Sequence, residues 1–164
     1  MAKTKSLADL FVNLLKDMYY AEKQILKTLP KLAKNSDSAE LRKAFENHLK
    51  ETEGQVQRLE QVFALCDLKP VGKTCPAIKG ILEEGAEDMK EAADADVLDA
   101  GMIADAQAVE HYEIARYGTL VAWAEEMGHT DVIPLLRKTL DEEKATDAKL
   151  SQLAESRLNK KAAA

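Results

Sequence analysis

The chain has 164 residues, 46% of them hydrophobic and 32% charged, which suits one folded domain with its own core and excludes a disordered or membrane-embedded protein. A net charge of −6 and a pI near 5.2 argue against a partner bound through its phosphates, so no nucleic acid is expected. Seven glycines, four prolines and 5% aromatics supply too few turns for a sandwich or barrel, and an all-α domain over 1–164 is expected.

The basic start, Met1-Ala2-Lys3-Thr4-Lys5, is not followed by the apolar run of a signal peptide, and no segment approaches the ~18 apolar residues of a membrane span. With two distant cysteines, Cys66 and Cys75, reduced thiols and a cytoplasmic location are expected.

Apolar residues recurring three and four apart predict a first helix over 6–33, with Ser6 as N-cap and a stripe of Leu7, Phe11, Leu14, Met18, Ile25, Leu29 and Leu32. Pro30 lies late in it. After the break at Asn35-Ser36-Asp37, a second helix is expected over 38–66. A short amphipathic helix over 76–92 follows Lys69-Pro70-Val71-Gly72 and opens at Pro76. Two further long helices are expected over 95–127, closed by Gly128, and over 130–158. The tail from Asn159 reads as a frayed end. Short first and last connections make antiparallel pairs, and the long crossover lets the second pair dock with its first helix parallel to helix two. This is a ferritin-like four-helix bundle with a short fifth helix in the crossover. Sliding YYAEKQILKTLPKLA from Tyr19 onto EHYEIARYGTLVAWA from Glu110 superposes Glu22 on Glu113, a weak internal repeat in keeping with that topology.

Several carboxylates fall on the apolar stripes rather than the wet faces. Glu22 lies between Met18 and Ile25, and Glu110 and Glu113 share a stripe with Ala106, Tyr117 and Leu120. Glu143 follows Leu140 by three with Glu142 on the shoulder, while His48 follows Phe45 by three and precedes Glu51 by three. Carboxylates gathered in a core are costly unless neutralised. Two divalent metals would do this, and oxygen ligands with an imidazole suit iron or manganese. The alternative is pairing with Lys23, Lys27, Arg116 or Lys144 on solvated faces.

The runs AEKQIL from Ala21, HLKETEGQ from His48, VEHYEIARYGTL from Val109 and EEKATDAKL from Glu142 resemble the YciF/YciE family of ferritin-like bacterial stress-response proteins, the DUF892 group. The resemblance extends over essentially the whole chain, including Cys75 and the Gly80–Glu84 segment. It implies a cytoplasmic homodimer, a di-metal centre and a link to stress responses. Transferred to this chain, it places Glu22, His48, Glu51, Glu110, Glu113 and one of Glu142 or Glu143 at the metals. Glu51 and the last-helix Glu would then lie closest to both ions, with Glu22 and Glu113 terminal. One departure stands out: helix two reads His48-x-x-Glu51, the reverse of the usual Glu-x-x-His, and the last helix has no His. Asp147 or a water would have to compensate.

Other residues have plainer readings. His111 is lateral or at a subunit contact, His129 is exposed, Tyr117 is core packing before it is a carboxylate partner, and Glu83, Glu84, Glu87 and Asp88 form a solvated face. Two functions remain: a di-iron or di-manganese protein reacting with oxygen or peroxide, and a metal-free helical stress protein acting as a dimeric partner-binding module. No catalytic residue or substrate is named by the sequence.

Overall fold

The computed structural model describes residues 4–164, so the basic start at Met1-Ala2-Lys3 lies outside the described residues. Four long helices make the bundle: α1 (Leu7–Asn35), α2 (Ala39–Leu65), α4 (Ala95–Glu126) and α5 (Ile133–Leu153). The crossover carries α3 (Pro76–Glu91), and the chain closes through a π-helical turn (Ala154–Leu158) into α5's short continuation, α6 (Asn159–Ala162).

The starts and stops follow local chemistry. Ser6 and Asp9 form a reciprocal capping box: the Ser6 hydroxyl accepts from the Asp9 N–H at 3.1 Å, and the Asp9 carboxylate accepts from the Ser6 N–H at 3.1 Å. Ser38 and Asp94 cap α2 and α4 by accepting from Leu41 N–H and Val97 N–H. At the end of α4, Gly128 takes φ +72°, the left-handed conformation that glycine adopts without a Cβ clash. Asp67 takes φ +55° just after α2, as acidic and amide side chains tolerate best. Helix α1 runs through Pro30 without ending.

Two expectations at the last helix are corrected. It begins at Ile133 rather than 130, because a helix from 130 would drive the Pro134 ring against the carbonyl of residue 130, whereas proline is well suited to a first turn. The tail is not frayed: α6 is helical, Lys161 Nζ lies 3.0 Å from the Asp96 carboxylate, and Leu158 is buried.

Side-chain contacts give the helix directions. Glu22 and Tyr117 join α1 to α4 at mid-bundle, and Asp37 meets Asp99 at one end, so α1 and α4 are antiparallel. His48 faces Glu143 while Arg58 meets Thr139, so α2 and α5 are antiparallel too. Helices α2 and α4 therefore start at the same end and run parallel, and α3 packs on α4 beside α1. This is the ferritin-like arrangement.

The apolar core is divided in two. One part gathers Ile25, Leu29, Phe45, Met102 and Leu150, and the other Phe11, Leu15, Leu59, Phe63, Leu120 and Leu136. Between them lies a layer of buried polar side chains, Glu22, His48, Thr52, Gln55, Glu110, Glu113 and Glu143. Asp99, buried at the start of α4, ties down the α1–α2 turn by accepting from Asp37 N–H at 3.0 Å and Ser38 N–H at 2.7 Å. Asp99→Ala leaves both donors without their acceptor, and urea denaturation should register a loss of about 2 kcal/mol. A change within about 0.5 kcal/mol would mean that water replaces the carboxylate.

A candidate metal centre in the polar layer

Helical spacing delivers one or more polar side chains from each long helix to the same level of the bundle. Ligand atoms of His48 from α2, Glu110 and Glu113 from α4 and Glu143 from α5 all lie within 4.8 Å of one another, and all four residues are buried. His48 Nε2 is 3.1 Å from a Glu110 oxygen and 4.0 Å from a Glu143 oxygen. Both carboxylate oxygens of Glu113 and both of Glu143 are buried without a hydrogen-bond partner, as is one oxygen of Glu110. Buried polar atoms are rarely left so, and four unpartnered oxygens on two neighbouring carboxyls, beside an imidazole, are a donor set that could hold a metal ion.

Glu22 of α1 is fully buried beside this group. One oxygen accepts from the Tyr117 hydroxyl and the other is unpartnered. Tyr117 thus goes beyond the packing role expected for it: its ring lies in the core while its hydroxyl holds a site carboxylate.

Burial dominates the electrostatics. It pushes the Glu22 carboxyl up to about 8, against the opposing pull of Tyr117 and His48. Burial, then the neighbouring Glu22, Glu143 and Glu110, hold Glu113 well above the carboxylate range, and burial with Glu110 does the same for Glu143. For His48, burial opposes the charged ring, but Glu110, Glu51 and Glu143 together outweigh it and raise the pKa well above that of a free imidazole. Burial and mutual repulsion thus disfavour the charged forms of Glu22, Glu113 and Glu143 together.

Two residues expected near the metals are not brought into the cluster. Glu51 is 46% exposed, on the solvent side of His48, with its oxygen 3.7 Å from Nδ1. The three-residue step from His48 turns it about 60° around the helix, to the edge of the buried stripe of α2. Glu142 is turned away by Arg58, to which it is paired, and by Gln55, whose amide donates to it at 3.2 Å. Of the two adjacent glutamates, Glu143 is the inward one. Asp147 is held by His111 at 3.2 Å and by Gln107 at 2.8 Å instead of turning inward.

The lysines and arginine nearest in sequence do not neutralise the cluster either. Lys23 lies over the Tyr19 ring and Arg116 over the Tyr112 ring. Arg58, Gln55, Thr52 and Asp99 were not singled out by sequence reasoning. Gln55 and Thr52 carry a usable signal, since they fall on the inward stripe seven and four residues after His48. Cys66 and Cys75 are free thiols, and Cys75 Sγ lies 3.1 Å from the Tyr112 hydroxyl. No helix among the described residues is long and apolar enough to cross a membrane.

Comparison with known proteins agrees with this architecture. The chain is 46% identical to Protein YciF of Escherichia coli K12 over 159 residues, 96% of either chain. The crystal structure of the E. coli stress protein YciF superposes with a TM-score of 0.91, covering 96% of this chain and 99% of that one. YcfI of Rhodopseudomonas palustris is 50% identical with a TM-score of 0.88, over 90% and 94% of the two chains. A Xanthomonas campestris protein, 22% identical with a TM-score of 0.71 over 92% of each chain, shares the fold. Residues 6–163 match the family described as Domain of unknown function (DUF892), and the chain belongs to that family.

Proposed function

We propose that this chain is a cytoplasmic stress-response protein that holds two iron or manganese ions in its polar layer and reacts with oxygen or peroxide. The observation that carries the reading is the set of unpartnered oxygens on Glu113 and Glu143 beside His48 and Glu110. His48, Glu110, Glu113 and Glu143 would hold one ion, and Glu22, which bears electrostatically on Glu113, would add a carboxylate for the second. Bound ions would supply open positions for the oxidant and the electrons to reduce it.

The protein's own contribution is positional. Glu51 places a negative charge 3.7 Å from His48 Nδ1 on the solvent side, and the Thr52 hydroxyl donates to the His48 carbonyl at 2.9 Å. Tyr117 fixes one oxygen of Glu22. The protons held by Glu22, Glu113 and Glu143 would leave as cations enter, so uptake should release acid.

The test is metal content by elemental analysis, on protein purified without affinity metal from iron- and manganese-supplemented cells. The expected result is close to two ions per chain. Chelation should then lower the melting temperature by about 5–10 °C, the effect of losing a ligand present far above its Kd from a domain of this size. Metal near zero after anaerobic loading with Fe(II), with an unchanged melting temperature, would leave a metal-free helical binding module. We also assign the chain to a homodimer. In support, α3 buries only Ile78 and leaves Ile81, Leu82 and Met89 half-covered. Sedimentation equilibrium at the monomer mass would refute this.

A further inference from the structure

A cavity of about 380 Å³ lies beside the polar layer, in the half of the bundle nearer the α1–α2 turn. Its size is within the range of sites for small organic ligands, roughly 300–1,000 Å³. The walls are apolar, formed by Ile25 and Leu29 of α1, Phe45 of α2, Val109 of α4 and Leu150 of α5. At one edge it reaches His48 and Glu110, both buried. Where α2 and α5 face each other, the lining includes the exposed Lys50 and Lys149. The carboxylate lining that side, Glu51, lies 3.7 Å from His48 Nδ1 and is also near Lys149, so the lysines outnumber it two to one there.

A site that stores or oxidises only hydrated metal ions has no use for this volume. Hydrated ions enter through polar paths, and a mainly apolar pocket lends them little. An apolar chamber with two ammonium groups at its mouth matches a molecule with an apolar body and an anionic head. The body gains by leaving water, and the head keeps its solvation while facing Lys50 and Lys149.

We propose that this cavity binds a medium-chain fatty acid or similar alkyl carboxylate, its chain between Leu29 and Phe45 and its carboxylate at Lys50 and Lys149. The chain then lies against the His48–Glu110 edge, next to the proposed centre, and binding of the carboxylate does not rest on the metal reading.

Decanoate and 1-decanol are the probes, titrated calorimetrically into metal-free and metal-loaded protein, with metal content measured on the same samples. Decanoate should bind saturably, one per chain, in both forms. The double variant Lys50→Ala/Lys149→Ala changes only exposed side chains, and it should weaken decanoate about tenfold while leaving decanol unchanged. Ala106→Phe, which fills the cavity, should weaken both probes by about tenfold or more.

Absence of saturable decanoate binding to the wild type would overturn the proposal, as would affinity indifferent to both variants. Decanol binding more tightly than decanoate would overturn the anionic head. Metal uptake without decanoate binding would remove the pocket and leave the centre, and decanoate binding without metal uptake would do the reverse.

Discussion

Replacing Glu113 by Gln should raise the melting temperature of the metal-free protein by about 5 °C and abolish its uptake of iron or manganese. The two effects have one cause. Glu113 is fully buried, neither of its oxygens has a hydrogen-bond partner, and burial with the surrounding glutamates disfavours its charged form. An unpaired carboxyl buried in this way costs the fold several kcal/mol. The Gln side chain has nearly the same shape and removes that cost, although its own unpartnered amide returns about 1–2 kcal/mol of it. Scanning calorimetry after dialysis against chelator, with elemental analysis of metal-loaded protein, reads both effects. A member of a compensated salt bridge would behave in the opposite way, its loss destabilising the fold by about 3–5 kcal/mol. A lower melting temperature with unchanged metal stoichiometry would therefore take Glu113 out of the centre.

The stability of the metal-free protein should fall as pH rises from about 5 to 8. Glu22 titrates near the ordinary 4.5 of a glutamate when unfolded, and burial pushes it up to about 8 when folded. A group raised in this way contributes fully below the unfolded pKa, and the contribution is lost as pH climbs through the folded one. Glu22 alone accounts for about 4 kcal/mol over that interval. Glu113 and Glu143 act with the same sign, and His48, raised from 6.5, adds to the loss above neutrality. Glu51, lowered chiefly by the neighbouring His48 ring, works the other way at the acid end and is half-exposed, so its effect is small. Bound metal replaces the protons, so the gain in melting temperature on metal loading should grow across the same interval. Thermal unfolding at half-unit pH steps in chelator checks this, and a flat profile between pH 5 and 8 would mean that the carboxylates are neutralised by something other than protons.

The helices, their order and the ferritin-like topology were legible because each rests on near-neighbour chemistry. The stripe from Phe11 to Leu32, the caps at Ser6 and Ser38, Pro76 at the head of α3 and Gly128 after α4 act within a turn or two of themselves. The last helix was read less well. Periodicity carries no information on where Pro134 must sit within a first turn, and it does not reveal that Lys161 reaches Asp96 on another helix.

For the polar layer, the sequence by itself determined which helices turn a Glu or His toward the interior, since a stripe position suffices for that. Only the tertiary structure decided between adjacent candidates. Glu143 and Glu142 differ by about 100° around α5, and the distant Arg58 and Gln55 of α2 claim Glu142. Glu51 lies on the edge of its stripe, where the packing of α2 against α5 leaves it half in solvent. Tyr117 meets Glu22, and Asp99 meets Ser38, across more than sixty residues of chain. The cavity beside His48 is likewise nobody's motif, because it is the space that side chains from five helices leave unfilled. Helical phase is a local property of the chain, whereas the partner that a polar side chain finds, and the volume its neighbours leave open, depend on how whole helices are set against one another.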